Sequence, residues 1–390
     1  MAVKKKPKSI LKKKATVGRT KKTKPLARKK VVVKKSIKKP TATKRKSKIK
    51  SRITQGLDRY EGNPILAPSR NYWESKAPFN PSAVVHNNKV HIVYRAIGEG
   101  DVSMLGYATS ADGLHIDERF DRPCYVVSNQ KLTSHVEYKI PYSSGGGWNG
   151  GCEDPRMVII GDRAYLIYTA FDGWGSLRIA LTSIALRDFE EQRWNWKKPV
   201  LISPPNEIHK NWVLFPEKIN GKFAILHSIS PNVLVDYFGS LDELDGATFI
   251  KSAHQSRVKG KKIWHDAVRG VGPSPIKTDR GWLVLYHATE DKDPHQYKLG
   301  ALLLDLKDPT KVLYRSVEPI LAPEEVYENE GFKSGVVYTC GAVVRDGELF
   351  VYYGGADAVC CVATINLEQF LQELVTKGVS YVTKRSNVRR

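Results

Sequence analysis

The chain has 390 residues, 63 of them Lys or Arg and 40 Asp or Glu, for a formal net charge of +23. Residues 1–52 hold 24 of the basic groups and no acid, so the remaining 338 residues balance 39 basic against 40 acidic side chains. A basic tail on a near-neutral body excludes a uniformly basic protein, and 8 Trp, 18 Tyr and 11 Phe exclude disorder for the body.

The tail comes first. Residues 1–52 mix Lys with Pro, Thr, Ser, Ala and Val and show no apolar period, which predicts a disordered segment. Two readings stand side by side: an electrostatic tether to nucleic acid or another polyanion, or a solvating tail with no specific partner. Its short apolar runs are interrupted by lysine, so no secretory signal is expected. No run approaches the roughly 20 residues that span a bilayer, and a cytoplasmic protein is expected.

From residue 53 to about 380 one pattern recurs five times: a Pro or Cys near a strand start, an apolar strand, a polar turn and a second apolar strand. The hairpins run Asn80 to Arg95, Asp154 to Thr169, Phe215 to His227, Gly272 to His287 and Thr339 to Gly354. Their turns, such as Asn87-Asn88, Gly161-Asp162, Asn220-Gly221 and Asp346-Gly347, carry residues that tolerate positive φ. A third strand rich in small residues follows each hairpin, at 105–110, 178–183, 235–240, 299–303 and 361–365. Short antiparallel sheets that cannot bury both faces alone predict an all-β fold, a five-bladed β-propeller with unequal loop insertions. A β-sandwich is the alternative. Between the first two hairpins, the stretch from Cys124 to Trp148 with Gly145-Gly146-Gly147 reads as a mobile loop. Residues 381–390 read as a frayed basic C-terminus.

Equivalent strand ends of a propeller converge on one channel, so the repeat nominates a site. Its first ring holds Asn80, Asp154, Phe215, Gly272 and Thr339, and its second Arg95, Thr169, His227, His287 and Gly354. The strongest local signal is Glu153-Asp154-Pro155-Arg156. Alternation along a strand predicts that only one of the two carboxylates faces the channel. Pro155 is expected to hold Asp154 extended, and Arg156 to return to the same face. The five cysteines lack Cys-x-x-Cys spacing and read as reduced, buried thiols. No histidine spacing suits zinc, and neither a metal nor an organic cofactor is called for.

Glu153-Asp154-Pro155-Arg156, Leu214-Phe215-Pro216-Glu217-Lys218, Gly281-Trp282-Leu283-Val284-Leu285-Tyr286-His287, Leu304-Asp305-Leu306-Lys307-Asp308-Pro309 and Tyr352-Tyr353-Gly354-Gly355-Ala356-Asp357 follow in that order. Together they resemble glycoside hydrolase family 130, from about Asn63 to about Leu374. The resemblance implies a five-bladed propeller that cleaves β-mannosidic bonds of manno-oligosaccharides or a mannosyl disaccharide with inversion. It implies Asp154 as the general acid, passing its proton through a sugar hydroxyl, and inorganic phosphate as co-substrate and nucleophile, giving mannose 1-phosphate. A raised carboxyl pKa is then expected of Asp154. Arg95, Lys210, Asn211, Arg269 and His287 resemble the family's anion pocket; Asn80, Arg95, His227 and Asp357 are the candidates for holding sugar. The chain departs from the family at Leu226-His227-Ser228, where an Arg is common, and at Tyr286-His287-Ala288, where Tyr-His-Gly is common. The departures keep in view a β-mannosidase with Glu217, Glu290 or Asp266 as the water-activating base; because a propeller alone does not choose a function, a non-catalytic carbohydrate-binding propeller tethered to a polyanion by its tail also stands.

Overall fold

The computed structural model describes residues 56–126, 150–171, 177–257 and 263–382. The tail 1–52, the glycine-rich stretch 145–147 and residues 383–390 lie outside them. The fold is all-β with few helices. Five three-stranded antiparallel meanders follow one another. The first comprises Ala77–His86, Lys89–Ile97 and Ser103–Ser110, and the second Gly151–Ile160, Arg163–Phe171 and Leu177–Ala185. The third is Val213–Leu214, Phe223–Ile229 and Val233–Phe238; the fourth Ala267–Val271, Gly281–Glu290 and Asp293–Leu304. The fifth is Val337–Arg345, Glu348–Gly355 and Val359–Asn366. They fall into four sheets, because a parallel bridge between Ser103 and Gly151 joins the first two meanders.

Each expected hairpin turn is where the residue types put it: Asn87, Asn88, Asn220 and Asp346 adopt positive φ that their short polar side chains tolerate. The expected third strand at 235–240 lies two residues earlier than its pattern, at Val233–Phe238.

The packing order follows the chain. Strand Ala77–His86 lies against Gly151–Ile160, which touches Val213–Leu214; Phe223–Ile229 touches Ala267–Val271; Val337–Arg345 contacts both Gly281–Glu290 and Ala77–His86. A sandwich would enclose one core between two sheets. Instead, apolar clusters form between successive meanders. Leu105, Tyr107, Leu166 and Tyr168 join the first to the second, and Ile167, Leu181, Trp212 and Ile225 the second to the third. Phe215, Leu226, Trp282 and Val284 join the third to the fourth, and Leu285, Leu303, Val351 and Tyr353 the fourth to the fifth. Ile92, Tyr94, Tyr352 and Val362 then join the fifth back to the first. All five cysteines are free and buried, as expected.

Short outer strands complete three of these sheets, and each brings in an arginine, two of which lie over a core tyrosine. Glu118–Arg119 pairs with the first meander, Val312–Arg315 with the fourth and Asp58–Arg59 with the fifth. Arg119 lies over the Tyr94 ring and Arg315 over Tyr286. Arg59 donates to the fully buried Glu328, which also accepts from the Tyr353 hydroxyl.

Two features depart from the expectation. Leu367–Lys377 is an α-helix, capped by Asn366 accepting from the Gln369 N–H, with Phe370, Leu371 and Leu374 in the core. The chain is also held one residue beyond the expected fray point, since Val379–Ser380 pairs with Tyr314 and Arg315 and the Tyr381 N–H donates to the Leu313 carbonyl.

Candidate active site

The inner strands carry the same irregularity. Register shifts between Phe79 and Ser82, Glu153 and Arg156, Val268 and Gly270, and Thr339 and Gly341 mark a β-bulge where the inner strand pairs with its neighbour in four of the five meanders. Asn80 and Asp154 sit at positive φ, +49° and +51°, each just before a proline. Pro155 therefore does not hold Asp154 extended, because the bulge sets the backbone. Nor does strand alternation separate the two carboxylates. Arg95 donates from Nη2 to Glu153 at 2.9 Å and from Nη1 to Asp154 at 3.3 Å, so both acids meet one guanidinium that is 1 % exposed. Arg95 Nε donates to the Ser103 hydroxyl at 3.0 Å, and the guanidinium lies over the Phe79 ring.

Asn80 donates to Asp154 Oδ1 at 2.8 Å. It rests directly on Gly354, where a Cβ would lie 2.2 Å from Asn80 Oδ1; only glycine admits it there. On the other side of Asp154, Arg156 ties the acid's strand to its neighbours. It donates to the carbonyls of Asp154 and Gly272 and, at 2.8 Å, to Asn211 Oδ1. Asn211 Oδ1 also accepts from the Tyr338 hydroxyl at 2.6 Å, while its Nδ2 donates to the Arg269 carbonyl. Gly270, at φ +129°, leaves room for this amide, since a Cβ would meet Asn211 Nδ2 at 2.5 Å.

His287 is stacked on Tyr338 with ring centroids 3.8 Å apart, and its Nε2 accepts from the Thr339 N–H. That bond puts the ring proton on Nδ1, which is buried without a partner. Burial, reinforced by Arg156, pushes the His287 pKa down to about 3, so the ring is neutral.

Lys210, Asn211, His227 and Arg269 line one cavity of about 260 Å³, together with Trp212 and Tyr297. The Arg269 guanidinium and the Lys333 amine both lie over the Tyr297 ring, at 5.4 and 4.1 Å. His227, which lines this cavity, pairs through Nε2 with Asp236 at 3.2 Å. Of the first ring, Phe215 is a core side chain packed on Trp282.

Burial alone would raise the Asp154 pKa, but Arg95, Arg156, the Asn80 bond and Lys210 outweigh it and hold the carboxyl low, at about 2. The expected raised value is thus reversed in the free site. The neighbouring acids move the other way: burial raises Glu153 against Arg95 and Lys210, and raises Asp357 against Lys333 and Arg95. Four cations, Arg95, Arg156, Lys210 and Lys333, face three carboxyls, Glu153, Asp154 and Asp357.

The three alternative bases are engaged elsewhere. Glu217 pairs with Lys277, Glu290 with Lys292 and Lys298, and Asp266 accepts the Asp291 N–H. Among the described residues no cluster of three or more His, Cys, Asp or Glu is arranged to hold a metal ion. No helix among them is long and apolar enough to cross a membrane.

A family model described as beta-1,4-mannooligosaccharide phosphorylase matches residues 43–376. The chain belongs to glycoside hydrolase family 130. It is 38 % identical over 324 residues to a 1,2-beta-oligomannan phosphorylase of Thermoanaerobacter sp. (strain X514), covering 80 % of this chain and 98 % of that one. It is 28 % identical to a beta-1,4-mannooligosaccharide phosphorylase of Ruminococcus albus, covering 85 % and 92 % of the two chains. The structure of the Listeria innocua beta-1,2-mannobiose phosphorylase in complex with beta-1,2-mannobiose superposes with a TM-score of 0.63 at 26 % identity, covering 82 % of this chain and 99 % of that one. The protein is accordingly an enzyme of the family 130 type, acting on mannosides.

Sequence reasoning missed Tyr338 and Lys333, which stand outside the repeat positions it compared. Arg156 was expected on the Asp154 face, as a partner of that carboxylate or of a substrate anion; its bonds to Gly272 and Asn211 were not foreseen. A Tyr one residue before the first-ring Thr339 was the available signal for Tyr338.

Proposed function

We propose that the protein is an inverting phosphorylase of β-mannosidic bonds, that the bond is β-1,2, and that the scaffold is a five-bladed propeller. The carrying observation is the pairing of one acid, Asp154, with a lining of fixed cations: Arg95, Arg156 and Lys210 around it, and Arg269 and Lys333 on the Tyr297 ring beyond. Such a lining suits an anionic nucleophile. The β-1,2 relatives are closer in sequence than the β-1,4 one, which supports the linkage. The return of the fifth meander onto the first supports the propeller. So does a second cavity, of about 320 Å³, lined by Ala83, Met157, Pro216, Pro273 and Gly341, one from each inner strand or the loop beside it.

In the proposed reaction a phosphate oxygen attacks the anomeric carbon from the face opposite the leaving oxygen. The C–O bond breaks, the leaving oxygen takes the proton of Asp154 through a sugar hydroxyl, and α-mannose 1-phosphate leaves with the shortened acceptor. Lys210, Asn211, Arg269 and His287 are assigned to phosphate, Asn80, Asp357 and His227 to sugar, and Arg95 to the boundary between them. Asp154 is ionised in the free site, so it takes up its proton once sugar displaces water and the phosphate charge arrives, both of which favour the neutral carboxyl.

Incubation with β-1,2-mannobiose, with and without phosphate, tests the reading by NMR of the anomeric products. Mannose 1-phosphate formed only with phosphate is expected; free mannose formed equally in both would refute it. Asp154→Asn should abolish product while leaving the fold intact.

The 24 cations of residues 1–52 are proposed as a polyanion tether on a cytoplasmic enzyme, with no role in turnover. Replacing half of these lysines by glutamine should weaken duplex binding and flatten its salt dependence; unchanged binding would refute the tether.

A further inference from the structure

We propose that Glu153 is a positioning residue for the proton donor: by sharing Arg95 with Asp154, it sets how much of Asp154 carries the proton at a given pH. This rests on the phosphorylase reading. The bulge at Glu153–Arg156 is what makes it possible, since a regular strand would point the two carboxylates to opposite faces. Here both are nearly fully buried, at 2 % and 6 % exposure, on separate nitrogens of the one guanidinium.

The geometry favours Glu153. Its oxygen lies 2.9 Å from Arg95 against 3.3 Å for Asp154. A donor acid needs proton affinity, whereas the surroundings of Asp154 are cationic on several sides. Asn80 and Arg95 face it from the first meander and Arg156 from its own strand. Lys210 reaches it from the segment before the third meander. The neutral His287 and the Tyr338 phenol stand on the fourth and fifth meanders, with Cys340 beside them. Asp357, itself balanced by Lys333, is the other acid in the group. Glu153 offsets this field twice. It draws the Arg95 fork toward itself, and it adds a negative charge next to Asp154, disfavouring the ionised donor.

The role separates from a merely structural one by leaving group. Cleavage of β-1,2-mannobiose requires a proton on the departing sugar oxygen, while a 2,4-dinitrophenyl β-mannoside departs without one. Glu153→Gln keeps an oxygen acceptor for Arg95 and removes the charge. On mannobiose and phosphate it should lower kcat at pH 7 about tenfold, and it should move the alkaline limb of the kcat profile down by about one pH unit. On the dinitrophenyl mannoside the rate should stay within about twofold of wild type. The ionisation of phosphate is common to both proteins and cancels in the difference. Glu153→Asp, which keeps the charge, should retain the wild-type limb; it also serves as the comparison if the Gln variant does not fold, and a limb moved down in it would count against the proposal. Equal losses on both substrates, or an unmoved limb in Glu153→Gln, would overturn the proposal while leaving the phosphorylase reading intact. Failure of the wild-type protein to form mannose 1-phosphate would remove both.

Discussion

Replacing Arg95 by Met tests whether this guanidinium is the keystone of the site. The side chain is 1 % exposed and bonds to Glu153, Asp154 and Ser103. Methionine keeps most of the packing on Phe79 and deletes the charge. A unit charge pair about 4 Å apart is worth roughly 4 kcal/mol at an effective dielectric of about 20. Breaking a buried pair from one side costs about 3–5 kcal/mol by mutational precedent. With an unfolding entropy of about 2 cal/mol/K per residue, a body of this size should melt roughly 6 °C lower. The loss should be pH-dependent. At pH 7.5 the two acids are stranded as anions, whereas near pH 5 they protonate more readily without Arg95, so the deficit should narrow by at least a third. Urea midpoints of both proteins at the two pH values give the measurement, and Arg95→Met combined with Glu153→Gln should recover part of the loss at pH 7.5. A deficit under about 1 kcal/mol at pH 7.5, or one equal at both pH values, would refute the argument.

Two buried histidines predict acid lability. The folded-state pKa values of His287 and His265 are both pushed down to about 3 by burial, so the unfolded chain, titrating near 6.5, binds more protons over the interval between. Stability from these groups is fully present above pH 6.5 and falls with pH toward 3, by about 2 kcal/mol each at pH 5. Denaturation midpoints between pH 5 and 7 should lose about one proton of slope in His287→Gln and again in His265→Gln; an unchanged slope would refute the assignment. Gly354→Ala places a methyl against Asn80 Oδ1 and should displace the amide that donates to Asp154. It should cost about 1–3 kcal/mol in thermal stability and, in the phosphorolysis assay, lower kcat more than it raises KM; wild-type turnover would place Asn80 outside the site.

Much of this was legible from residue types. Turns rich in Asn, Asp and Gly between apolar runs announce hairpins because these residues accept positive φ, and five such hairpins along the chain announce a repeated sheet. That Asp154 belongs to a charged site was readable from Glu153-Asp154-Pro155-Arg156, and its assignment as the acid remains the proposal above. Its environment was not, because the bulge turns two neighbouring carboxylates onto one cation, and a proline following Asp154 argues locally for the opposite backbone. The lowered pKa of Asp154 was illegible for the same reason: it depends on Arg95, Arg156 and Lys210 converging from three elements. The helix Leu367–Lys377 had its signal in plain sight, Leu367, Phe370, Leu371 and Leu374 at helical spacing behind an Asn cap. The strand pattern running up to Ile365 masked it.

The outer strand Asp58–Arg59 is made at the start of the folded body, and its partner Val359–Asn366 near its end. Arg59 and the buried Glu328 it serves are 269 residues apart. On a ribosome adding roughly 5–20 residues per second, Arg59 waits roughly 15–50 s for that carboxylate. Until then Glu328 does not exist, the last sheet lacks its edge, and the first and fifth meanders have no shared core. The body therefore completes its folding only once the fifth meander has been made, in a step that joins its first and last strands. A chain begun after Arg59 would leave Glu328 buried without its cation, so any shortened form that keeps this fold should start no later than Leu57.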